Sequence, residues 1–105
     1  MTEQQAVASK VGPNYELRAI IPAIFWRSPA PDVSPYVEVG DVIQPGNPEG
    51  RYGDKPTLCI LEAMKVFNEI NFEGTKPVKI IAIHTKDGEL VEEGQLLMTF
   101  EPVED

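Results

Sequence analysis

At 105 residues, with nine basic against seventeen acidic side chains and a net charge of −8, the chain has room for one domain with a modest core. Such a surface repels nucleic acid and anionic lipid and suits basic protein partners, which sets nucleic-acid binding aside. No segment approaches the roughly 20 apolar residues of a membrane span, and the start, MTEQQAVASKVGPN, has no apolar stretch of signal-peptide length; a cytoplasmic setting away from membranes is expected.

Residues 1–14 are polar and aperiodic, so they are expected to form a flexible tail ahead of a domain spanning 15–105. From Tyr15 the texture changes to short strand-like runs: YELRAII, YVEV, TLCILE, VFNEINF, VKIIAI, ELV and LLMTFE. Ten prolines and eight glycines punctuate them, and no window holds a helical apolar period, which predicts an all-β fold. RSPAPDVSPY, Arg27 to Tyr36, has three prolines in ten residues. Proline fixes φ and donates no ladder bond, so this segment reads as a stiff protruding loop, with Phe25 and Trp26 anchoring its base in the core. A second Gly/Pro-rich excursion, Pro45 to Pro56, reads as a solvated loop.

A faint repeat runs through the chain. GDVIQPG (Gly40 to Gly46) matches GELVEEG (Gly88 to Gly94) in the spacing of its glycines, acid and apolar residue. Each copy is followed by an apolar strand ending in Glu, TLCILE in the first case and LLMTFE in the second. Two similar halves predict a pseudo-twofold flattened barrel or sandwich of antiparallel strands, each half closing the other's edges.

The stretch LCILEAMKVFNEINF, Leu58 to Phe72, places Glu62-Ala63-Met64-Lys65 at the join of two strand-like runs. A lysine at a hairpin tip is both exposed and rigidly held, which suits a site of enzymatic modification. The amine must lose a proton to act as a nucleophile, and that activation falls to the modifying enzyme. The plainer readings are an ordinary solvated turn lysine, a core role for Met64 and a simple strand-end carboxylate at Glu62. Cys59 reads as a small buried hydrophobe and His84 as a surface strand end. No metal-ligand spacing and no nucleophile–base pair stands out, so no catalytic site of its own and no metal site is expected.

LCILEAMKVFNEI resembles the attachment site of the biotin carboxyl carrier family, whose signature is Glu-Ala-Met-Lys between two strands, often followed by Asn-Glu/Gln-Ile. Glu62, Ala63, Met64 and Lys65 meet the signature, and Asn68-Glu69-Ile70 follow at the family's spacing. Upstream, IFWRSPAPDVSPYVEVGD is similar to the segment that forms the "thumb" in the carrier of bacterial acetyl-CoA carboxylase. The resemblance implies covalent biotin on Lys65, with Glu62, Ala63 and Met64 read by partner enzymes and Ser28 approaching the biotin ring. It implies a shuttle between a biotin carboxylase and a carboxyltransferase in acetyl-CoA carboxylase and fatty acid biosynthesis, loaded by a biotin protein ligase. The chain departs from the family in its long Pro45–Pro56 excursion and in Glu73-Gly74-Thr75-Lys76-Pro77, where Ser-Gly is common. Rival readings are the carrier of another acyl-CoA carboxylase, a lipoyl carrier of a 2-oxo acid dehydrogenase complex and an unmodified adaptor. Lipoyl sites usually carry Asp before and Ala after the lysine, where this chain has Met64 and Val66.

Overall fold

The structure, a computed structural model, describes residues 6–46 and 55–103. Most of the Pro45–Pro56 excursion and the first five residues lie outside the described residues. The described residues form nine strands: β1 (Ala6–Val11), β2 (Asn14–Ala19), β3 (Ala23–Trp26), β4 (Val42–Ile43), β5 (Thr57–Ala63), β6 (Val66–Asn71), β7 (Val78–Ile83), β8 (Glu89–Val91) and β9 (Leu96–Pro102). Every pairing is antiparallel. The strands make a five-stranded sheet, β1-β2-β9-β7-β4, and a four-stranded sheet, β6-β5-β3-β8. The all-β sandwich expected from the short apolar runs is the fold observed.

The internal repeat is visible in the strand orders. Advancing each of β2, β3, β4 and β5 by four elements gives β6, β7, β8 and β9. That mapping carries the row β2-β9-β7-β4 onto β6-β5-β3-β8. Gly40 and Gly88, the first glycines of the two repeat copies, both have positive φ, +98° and +81°. Three residues further on, Ile43 and Val91 are both buried. Each copy therefore turns on a glycine and drives one side chain inward. The inner faces of the two sheets meet in a core that includes Phe25, Phe100, Leu58, Leu61, Ile80, Leu97, Met98 and Val91.

The structure differs from the sequence reading at several local points. Residues 6–14 are not a loose tail: Ala6–Val11 pairs with β2 through a two-residue turn at Gly12-Pro13, extending the five-stranded sheet at its edge. The segment lacks apolar alternation because it is an edge strand, held by backbone ladder bonds. YVEV is not a strand. Its backbone is spent locally: Tyr36 N–H donates to Arg27 O (2.8 Å), Glu38 N–H to Asp41 Oδ2 (2.9 Å), and Asp41 N–H to Glu38 O (3.1 Å). AIFW, conversely, is the strand β3 and lies between β5 and β8. Phe25 is in the core as expected, whereas Trp26 is only half-buried and belongs to the outer face.

The proline segment, residues 27–36, contains neither helix nor strand. Its base is closed by the Tyr36–Arg27 bond, and Val33 N–H donates to Ala30 O (3.1 Å) to form a turn within it. Arg27 braces the root. Its backbone N–H donates to Asp87 Oδ1 (2.7 Å), and its guanidinium donates to Val37 O (3.1 Å) and Glu38 Oε1 (2.7 Å).

Candidate functional site

Strands β5 and β6 form a hairpin whose last pair is Ala63 with Val66, so its turn is just Met64-Lys65. Both turn residues have positive φ, 52° for Met64 and 64° for Lys65, as a type I′ turn requires. That turn ordinarily uses Asn-Gly, because a left-handed residue with a longer side chain costs roughly 1–2 kcal/mol. Two such residues persist here because six residue pairs of the β5–β6 ladder over-determine the turn. Backbone strain at a site held by its surroundings is a signature of function, and the side chains it displays are the ones to examine.

Met64 is 95 % exposed, and Lys65 is also exposed. No acidic side chain forms a salt bridge with Lys65 among the described residues. The amine thus stands at a convex tip with its approach open. Ala63 is half-buried at the closing pair, which fixes where the turn leaves the sheet.

Below the tip, two side chains stiffen the finger. Asn68 donates its amide from Nδ2 to Leu61 O (3.3 Å) and to Val66 O (3.2 Å), spanning from one strand to the other. Glu62, half-buried, accepts a hydrogen bond at Oε1 from the indole Nε1–H of Trp26 (2.9 Å). Neither contact is legible in the sequence: Asn68 carries only the family's spacing, and the Trp26–Glu62 pair depends on a strand register linking residues 36 apart.

Glu62, Ala63, Met64 and Lys65 run consecutively from the end of β5 into its turn, and Ser28 lies in the proline segment two residues past the end of β3. Strand β3 runs away from the tip, with Ile24 opposite Glu62 and Trp26 opposite Ile60, and the chain leaves the sheet after Trp26, before Ser28. Its hydroxyl donates to Ala30 O (2.9 Å) inside the proline segment, which leaves the oxygen's lone pairs as its free function. The end of that segment returns toward β6. Burial, followed by the negative charge of Glu69, raises the Tyr36 phenol above its ordinary pKa.

Other chemistry-bearing residues fall away from the tip. Cys59 is fully buried, and burial pushes its thiol up to about 12, which makes it an inert core residue. His84 Nε2 pairs with Thr99 Oγ1 (2.8 Å) on the outside of the five-stranded sheet. Two surface clefts, of about 590 and 510 Å³, do not include Lys65. The arrangement therefore displays an amine to another molecule. Neither of these two clefts surrounds it.

Comparison with known proteins agrees with this geometry. The family described as "Biotin-requiring enzyme" matches residues 22–100. The chain is 42 % identical over 78 residues to the biotin carboxyl carrier protein of acetyl-CoA carboxylase from Nostoc sp., covering 74 % of this chain and 37 % of that protein. It is 37 % identical over 101 residues to the same-named protein of Porphyra purpurea, covering 92 % and 55 %. The corresponding protein of Haemophilus influenzae is 35 % identical over 85 residues, covering 81 % and 48 %. The chain thus spans between about a third and just over half of these relatives. Among solved structures, a single-chain, multi-domain long-chain acyl-CoA carboxylase shares the fold, with a TM-score of 0.60 at 18 % identity over 94 % of this chain and 8 % of that one. The sandwich, its hairpin and the matched segment converge on one conclusion: the chain belongs to the family of biotin-requiring enzymes.

Proposed function

We propose that Lys65 is the attachment point of biotin and that the chain is a biotin carboxyl carrier. It would move a carboxyl group from a biotin carboxylase to a carboxyltransferase within acetyl-CoA carboxylase, in the cytoplasm and in service of fatty acid biosynthesis. The observation that carries this reading is the Met64-Lys65 turn, in which two long side chains occupy left-handed backbone that glycine or asparagine would fill at lower cost. Simple chain reversal does not call for that choice; display of those side chains does. The names of the relatives support the choice of acetyl-CoA as acceptor.

The residues present fit the group. An exposed lysine Nζ on a stiffened tip suits amide formation with the biotin carboxyl. When bound, biotin supplies a ring nitrogen able to carry the carboxyl group. The chain's own residues contribute position. The six-pair ladder and the Asn68 amide hold the turn in one place, so the tethered arm sweeps a defined volume at high effective concentration. Amide formation also removes the positive charge of Lys65, which lowers the desolvation cost of entering an active site. Glu62, Ala63 and Met64 offer the ligase and the carboxylase subunits a fixed shape beside the amine.

Expression in a biotin-competent host, proteolysis and mass spectrometry test the proposal. Biotin is expected on the peptide containing Lys65, and the Lys65→Arg variant is expected to fold normally and give no signal with avidin. A stably avidin-negative wild-type chain that reacts with a lipoyl antibody would replace biotin with lipoate. Biotin on another lysine would overturn the assignment of the site.

A further inference from the structure

Trp26 is the only tryptophan of the chain, and its place is unusually well fixed for a half-buried residue. Its ring lies against the backbone of Gly88, where a Cβ would come within 3.5 and 3.7 Å of ring carbons. The residues on either side of it are tied to the same turn: Gly88 N–H donates to Phe25 O (2.7 Å), and Arg27 N–H donates to Asp87 Oδ1 (2.7 Å). The indole is therefore a donor of fixed direction, and it is aimed at Glu62 Oε1 (2.9 Å). Glu62 lies two residues before the Met64-Lys65 turn and faces Phe67 across the ladder, where Phe67 is 62 % exposed. Among the described residues, Oε2 of Glu62 accepts no hydrogen bond.

We propose that Trp26 is a positioning residue for the loading of Lys65: its indole N–H holds the Glu62 carboxylate in one orientation, leaving Oε2 free to accept from a basic side chain of the biotin protein ligase. A carboxylate that rotates freely must be ordered when a partner binds, and one already held by a neutral donor keeps its charge while losing that freedom. The effect belongs to binding of the apo chain, since Trp26 does not touch the reacting amine. This inference rests on the attachment reading above.

The test uses the full chain in its apo form as substrate of a purified biotin protein ligase with biotin and ATP. Wild type, Trp26→Phe, Glu62→Ala and the double variant are compared by kcat and KM. Trp26→Phe is expected to raise KM for the apo chain about 5- to 10-fold with kcat unchanged, and to have no further effect once Glu62 is alanine. An unchanged KM, or an equal rise in both backgrounds, would overturn the proposal, because packing alone would act without regard to Glu62. Should Trp26→Phe fold poorly, hydrogen exchange of the indole N–H decides instead. In Glu62→Ala it is expected to speed up roughly tenfold, and retained protection would sink the proposal. A wild-type chain that takes no biotin at Lys65 removes the attachment reading and this inference together. Normal loading of wild type with an indifferent Trp26→Phe removes only the latter.

Discussion

Two hairpins of the same molecule turn in two residues and solve that problem in opposite ways. Between β1 and β2 the turn is Gly12-Pro13, with Gly12 at φ +61° and nothing within 4 Å of where a Cβ would stand. Glycine takes the left-handed position, and proline fixes the next residue near its own preferred φ. Between β5 and β6 the turn is Met64-Lys65, and both residues sit in left-handed backbone without glycine's freedom. The first turn only reverses the chain. The second reverses it and holds out two side chains, at a conformational cost that the paired strands beneath it offset. Local strain separates the two roles more sharply than exposure does, because Gly12 is exposed as well.

Making the second turn resemble an ordinary one is expected to have the largest effect. The double variant Met64→Asn/Lys65→Gly is expected to lose biotin loading entirely while gaining roughly 1–2 kcal/mol of stability in denaturant unfolding. A loss of stability would show that Met64 and Lys65 hold the turn rather than strain it. The reverse experiment is Gly12→Ala, which forces a Cβ into the left-handed region and should cost about 1 kcal/mol with biotin loading intact. An equal drop in loading would mean that the β1–β2 turn communicates with the tip. The smallest effect is expected from Asn68→Ala. It removes the amide's bond across to Leu61 O and its bond to Val66 O within β6, and should lower stability by about 0.5–1 kcal/mol, with faster hydrogen exchange confined to the tip. Exchange that rises across the whole of β5 would place Asn68 in the global fold instead.

The legible part of the structure was whatever the chain writes locally. The apolar runs of β5, β7 and β9 and the Met64-Lys65 join could be read because burial and reversal leave a pattern within a few residues. β1 left no such pattern, since a strand at a sheet edge is held by main-chain bonds that any residue but proline can make. β3 was hidden by its shortness and by the prolines that follow it. YVEV carried a strand's composition, but the carboxylate of Asp41 and the carbonyl of Arg27 claimed its amides. The Trp26–Glu62 bond was illegible for a different reason: it exists only because β3 settles beside β5 in one register, and neither segment records that choice.

β1 is the one strand with no counterpart under the pseudo-twofold mapping. It covers the outer side of β2, while the equivalent side of β6 ends the four-stranded sheet among the described residues. A body assembled from two near-copies would otherwise present two look-alike rims to any visitor. β1 moves the first rim one strand outward, so the two rims no longer match, and only the β6 rim belongs to the hairpin that ends at Lys65.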